Sequence, residues 1–129
     1  MKPNTTLPRG ARKIQPIKKQ LGNWTEMKYD ARIEHLGIVW YRVHLGMGER
    51  GDREDWVADL PDVCISIHDY QWREPRWGCR HYKSFAEAMR KELAEGLANT
   101  KQELADLDSK REQLAKAITL IENTTGYAT

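Results

Sequence analysis

Between Trp24 and Leu45 apolar and polar residues alternate with a period of two. Tyr29, Ala31 and Ile33 alternate with Lys28, Asp30, Arg32 and Glu34. Beyond Gly37, Val39, Tyr41, Val43 and Leu45 alternate with Trp40, Arg42 and His44. Successive strand side chains point to opposite faces, so the pattern predicts a hairpin turning near Leu36-Gly37, with one apolar face. The polar run GMGERGDRED carries three glycines and six charges and reads as a mobile inter-strand loop. It spells G-x-G-x-x-G at Gly46, Gly48 and Gly51. Asp52, Glu54 and Asp55 follow at once and would repel phosphate, and no helical period begins, so a nucleotide fingerprint is rejected. A turn at Leu60-Pro61-Asp62 leads to a third strand, with Val63, Ile65 and Ile67 on one face and Cys64, Ser66 and His68 on the other. A second turn near Glu74-Pro75 leads to a fourth strand from about Trp77 to Lys83.

The period then changes. Ser84 followed by Glu87 is a capping-box signature. Past it, Leu93, Leu97, Thr100, Leu104, Leu107, Arg111, Leu114, Ile118 and Ile121 are spaced alternately by four and three. This is a heptad seam, and Ala86, Ala88, Met89 and Leu93 supply a face for the sheet in the first turns. A continuous helix from Phe85 to about Glu122 would be about 57 Å long, too long for so small a body to cover; a second copy would cover it. Gly96, Asn99 and a possible cap at Thr100-Glu103 leave a helical hairpin as the alternative, but the heptad phase runs through Gly96 without a skip. The expected fold is therefore α+β. An antiparallel sheet of about four strands (residues 23–84) precedes a long C-terminal helix (85–122) forming a homodimeric coiled coil, with a tail at 123–129.

Charge adds a further segment. The net charge of +2 hides +6 on residues 1–22, against −2 on 23–84 and −2 on 85–129. Residues 1–22 hold Lys2, Arg9, Arg12, Lys13, Lys18 and Lys19 with three prolines and no acid. They are expected to be a flexible basic arm with salt-sensitive affinity for phosphate; a solubilising tail or one packed along the body is the alternative. No apolar run is long enough for a bilayer, and the first residues lack the apolar segment of a secretory signal. With two cysteines, this points to a reduced, cytoplasmic chain away from membranes.

Candidate chemistry is sparse outside one stretch. Cys64, His68, Cys79 and His81 are metal-ligand types, but residues four apart in a strand lie about 13 Å apart, and a thiol buried in the sheet is the plainer reading. No metal or cofactor is expected. The four histidines sit in no acid–base motif, and His68-Asp69 point to opposite faces of a strand, so no enzyme is expected. The stretch HDYQWREPRWGCRHYK is different: Tyr70, Trp72, Trp77 and Tyr82 are interleaved with Arg73, Arg76, Arg80 and Lys83. Indoles stack on bases and guanidinium forks grip phosphate or guanine edges. Strand parity sends some rings to the core, leaving Trp72, Arg73, Arg76, Trp77, Arg80 and Lys83 as candidate binding residues, with Arg73 and Arg76 exposed at the turn.

The run Tyr70-x-Trp72-Arg73-Glu74-Pro75-Arg76-x-Gly78, followed by a strand and a helix, resembles the N-terminal DNA-binding domain of phage tyrosine integrases over about 25 residues. That resemblance implies a sheet entering the major groove, Arg73 and Arg76 near a hairpin tip, Trp72 in the sheet, and a small phage or mobile-element protein in the host cytoplasm. Trp77 and Cys79 depart from the family pattern, and no recombinase catalytic domain follows, so the similarity supports DNA reading and not strand cleavage. The expected function is a non-enzymatic, dimeric nucleic-acid-binding protein. The alternatives are a phage-type inhibitor of a host defence or regulatory complex, or a protein that sequesters a small anionic nucleotide.

Overall fold

The computed structural model describes residues 7–46, 52–73 and 81–126, with the backbone alone at Asp52. Among them, five strands form one antiparallel sheet in chain order: β1 (Arg12–Lys19), β2 (Met27–His35), β3 (Ile38–Gly46), β4 (Asp52–Ala58) and β5 (Ser66–His68). A 3-10 turn at Asp69–Gln71 follows, and then one helix, α1 (Phe85–Thr125). Two compact units are distinguished, the first reaching Ala94 and the second beginning at Glu95.

The hairpin turns at Leu36-Gly37, where both residues have positive φ (52° and 82°) between the closing pair His35 and Ile38. Two positive φ values give the primed turn whose twist matches that of antiparallel strands. The strict alternation around it fails, however. Tyr29 pairs with Val43 but Ala31 pairs with Arg42, so Asp30 is an extra residue bulging from β2. One inserted residue reverses which face each later side chain meets. Tyr29 therefore joins Leu21, Tyr41, Val43 and Val57 in one core. Ala31 and Ile33 join Trp40, Trp56, Ile67, Phe85, Ala88 and Met89 in the other. The sheet is buried on both faces, which corrects the expected single apolar face: Trp40 and Arg42, placed on a polar face by alternation, are both buried.

Two segments expected to be mobile are strands. Residues 12–19 of the supposed arm form β1 and pair with β2. The alternation there is hidden by an irregularity between Lys13 and Ile17, where β1 uses four steps against two on β2. Pro16, which has no N–H for a ladder, lies within it, as suits an edge strand. Ile14 and Ile17 pack on the Tyr29 core. Likewise 52–55, read as loop, begin β4, because Glu54 and Asp55 find cationic partners inside the protein. After β1, Gly22 (φ +59°) bridges to Pro61 so closely that a Cβ would lie 2.2 Å from the Val63 carbonyl oxygen. The third expected strand shrinks to Ser66–His68. Of the fourth, residues 77–80 lie outside the described set, and 81–83 are not strand.

Helix α1 starts as its cap predicts, with Ser84 Oγ accepting from the Glu87 N–H (3.1 Å). It is continuous through Gly96. Thr100 Oγ1 donates back to the Gly96 carbonyl (2.7 Å) within the helix instead of capping a new one. Gly126 (φ +74°) follows the last turn and donates to the Glu122 carbonyl, a left-handed C-terminal stop. Leu93, counted on the heptad seam, instead packs partly buried against the Trp40–Trp56 core. Leu97, Leu104, Leu107, Leu114, Ile118 and Ile121, in the second unit, are each more than half exposed.

Leu36 holds a left-handed conformation at 77% exposure and no glycine-like freedom justifies it. Leu36→Asn should therefore raise stability by about 1 kcal/mol, read as a higher denaturation midpoint; a lower midpoint would contradict the turn assignment.

Candidate functional site

The arginine-tryptophan stretch is largely committed to the fold. Arg73, expected to be exposed, has a side chain only 9% accessible. Its Nη2 donates to Glu54 Oε2 (3.0 Å), and its guanidinium lies 4.3 Å from the Trp72 ring centre. Trp72, expected in the sheet, follows the 3-10 turn and meets Phe85 edge-on at 5.1 Å. Tyr82 is buried, its hydroxyl donating to Glu92 Oε2 (2.6 Å). Arg76, Trp77 and Arg80 lie outside the described residues. Lys83 is exposed.

Glu54 belongs to a longer chain of charges. Arg42 donates from Nε and Nη2 to the two oxygens of Asp30 (2.9 and 3.1 Å), and His44 Nε2 stands 3.0 Å from the same carboxylate. Arg42 Nη1 lies 3.6 Å from Glu54 Oε1, close enough for attraction but too far for a hydrogen bond. Burial opposes the charge on Asp30, yet the Arg42 guanidinium and His44 outweigh it and hold the carboxyl below its usual range. A second cluster sits beside it on β4. Arg53 grips the wholly buried Asp55 with two hydrogen bonds (2.9 and 3.1 Å). His68 Nδ1 lies 2.9 Å from Asp55 Oδ2, but off the line a hydrogen bond needs. Asp55, not Asp69, is thus the acid beside His68. Arg53 and His68 flank the same buried carboxylate.

Cys64, expected to be buried, is exposed as a residue. Its sulfur is nonetheless desolvated and close to Asp55, and both effects raise the thiol pKa, which disfavours the reactive thiolate. Cys79 lies outside the described residues, and among the described ones no three His, Cys, Asp or Glu side chains form a metal-holding group.

The bases of the supposed arm lie along the edge of the sheet. Arg12, Lys13 and Lys18 are exposed on β1, and Arg9 is exposed just before it. None of them has an acidic partner among the described residues, whereas Lys19 is paired with Asp59 (3.0 Å) and sits over the Tyr41 ring. Two like-charged pairs face each other across β1 and β2: Lys18 opposite Lys28, and Arg12 opposite Arg32. Arg32 has Glu34 at 3.7 Å; Lys18 and Lys28 have no such relief among the described residues. Lysines on an edge strand also deter pairing with other chains, but that role does not require a lysine directly opposite, which costs stability.

Three candidate residues from distant parts of the chain converge elsewhere. Arg9, Trp72 and Lys83, with His35 and the α1 start at Ser84-Phe85, line a cleft of about 560 Å³. His35 Nε2 and Trp72 Nε1 are buried with no hydrogen-bond partner among the described residues. The backbone N–H groups of a helix start favour an anion as well. Lys28 and His35 were not singled out from the sequence; Lys28 was visible only as a polar member of an alternating strand. No family model, curated protein or solved structure matches this chain.

Removing Arg73 leaves Glu54, whose side chain is 3% accessible, with only the distant Arg42. Arg73→Ala should cost about 3 kcal/mol, and adding Glu54→Gln should recover part of it in urea denaturation. An unchanged midpoint for Arg73→Ala would contradict the buried pair.

Proposed function

We propose that this protein binds nucleic acid, as a dimer and without chemistry of its own, by gripping phosphates along the β1–β2 edge and at the cleft beside the start of α1. The observation that carries this reading is Lys18 placed opposite Lys28 on an exposed edge already rich in unpaired bases. A polyanion lying there relieves a repulsion that the folded protein otherwise bears, and counterions released from the phosphates drive binding. The nearest row continues through Lys13 and Arg12 toward Arg9, and Arg9 also lines the cleft. Trp72 and Arg73 are spent on holding the cleft together, so their part is to position it. Hairpin reading of the integrase type would fall to residues 74–80.

The cleft favours a second reading, capture of a small nucleotide by its phosphate. Its two flanking bases and the helix start, with Glu34 the one acid on the wall, suit one phosphate group as well as a strand. Calorimetry with mononucleotides separates the two: saturable heat there with no affinity for oligonucleotides supports the second reading.

The first reading gives opposite signs for fold and binding. Lys18→Glu turns the repulsive pair into an attractive one, so stability should rise by about 0.5 kcal/mol. Affinity for a labelled oligonucleotide at about 50 mM salt should meanwhile fall about tenfold, and the slope of log Kd against log salt should flatten by about one. Fluorescence anisotropy reads both; unchanged affinity and slope would contradict the edge as the phosphate site.

A further inference from the structure

The exposed residues of α1 say which way round a second copy lies. Taking Leu97, Leu104, Arg111 and Ile118 as one set of seam positions, and Thr100, Leu107, Leu114 and Ile121 as the other, the charged flanking residues are Lys101, Glu103, Asp108, Lys110 and, at the far end, Glu122. In a parallel pair in register, seam residues meet their own copies, so Arg111 faces Arg111 in the core. Flanking Glu103 also comes beside Asp108 of the other copy, twice. Both are like-charge contacts. An antiparallel pair meets opposite seam positions and flanks like with like. With Leu104 level with Leu107 of the other copy, Leu97 is level with Leu114. The two polar seam residues, Thr100 and Arg111, then face each other. Thr100 Oγ1 spends its proton on the Gly96 carbonyl, which leaves its oxygen free to accept from that guanidinium.

In the same register Glu103 of one copy falls within two residues of the level of Lys110 of the other, about 3 Å along the axis. Lys101 falls equally close to Asp108. Symmetry doubles each, giving four complementary pairs. Sliding by one heptad covers more apolar surface, since Leu97 then meets Ile121. It also brings Asp108 near Asp108 and Lys110 near Lys110, and buries Arg111 against Leu107. Charge selects the first register, because the slide sets Asp108 and Lys110 against their own copies and takes Arg111 of both copies from the Thr100 hydroxyl to a leucine that cannot accept from it.

We infer that α1 pairs with a second copy of itself in antiparallel orientation, centred between residues 105 and 106. This rests on the dimer of the proposed function and adds its orientation. The starts of the two α1 helices then lie about 60 Å apart along the coil, whereas a parallel pair would bring them side by side.

A charge-swap cycle in the full chain, read by sedimentation equilibrium, tests it. Glu103→Lys and Lys110→Glu should each weaken the dimer about tenfold, because each turns two attractive contacts into two repulsive ones. The double variant should restore the wild-type Kd. A parallel coil predicts instead that Glu103→Lys tightens the dimer, by removing the contact with Asp108, and that Lys110→Glu changes little. Tightening, no effect of the single changes, or no rescue in the double overturns the orientation while leaving the dimer standing. A monomeric wild-type chain overturns the orientation and the dimer together.

Discussion

A guanidinium almost wholly removed from water is tolerable only if something grips it, and Arg42 is gripped by both oxygens of Asp30. Asp30 can reach it because it bulges out of β2. Losing the bulge would restore strict alternation and turn Ala31 and Ile33 away from the α1 side of the sheet. The same charge chain continues through Glu54 to Arg73, whose guanidinium covers Trp72, whose ring meets Phe85 at the first residue of α1. Alternating charges thus link the bulge, three strands and the helix start. Each buried charge has an opposite neighbour, the condition under which buried ions can be borne.

This arrangement separates the residues that hold the fold from those that remain available to a ligand. Arginine in an aromatic-rich stretch reads equally well as recognition or as architecture. Arg73 goes to architecture because Glu54, nineteen positions away, is buried beside it. Among the described residues, Arg12, Lys13, Lys18 and Lys28 on β1 and β2, and Arg9 and Lys83 beside the cleft, pair with no acid. Lys19, one step along from Lys18, shows the contrast: its hydrogen bond to Asp59 raises its pKa against the opposing effect of burial. The cleft inherits its position from the internal chain of charges, since Trp72 and Phe85 form part of its wall.

How much of this was legible follows from range. Features fixed by neighbours in sequence could be read directly: the Leu36-Gly37 turn, the Ser84 cap, the unbroken heptads past Gly96 and the halt at Gly126. Features fixed by distant partners could not. Glu54 and Asp55 look like solvated loop charges until Arg42, Arg53 and Arg73 are brought beside them. β1 was disguised by Pro16 and its irregular register, although Ile14 and Ile17 were there to mark an inner face. The Asp30 bulge has no local signature, so Ala31 and Ile33, assigned by alternation to the face of Tyr29, lie on the opposite one, while Tyr41 and Val43 share the face of Tyr29 as expected. The cleft joins Arg9 to Lys83 across most of the first unit, a proximity no spacing rule contains.

Amide chemical-shift mapping during an oligonucleotide titration locates the surface, if any, on which the proposed phosphate binding occurs. Salt-sensitive shifts are expected in residues 9–19, at Lys28 and at 83–86, with the Asp30–Arg42–Glu54 interior unmoved. Shifts confined to the exposed face of α1 beyond Glu95, or no shifts at low salt, would contradict the proposal.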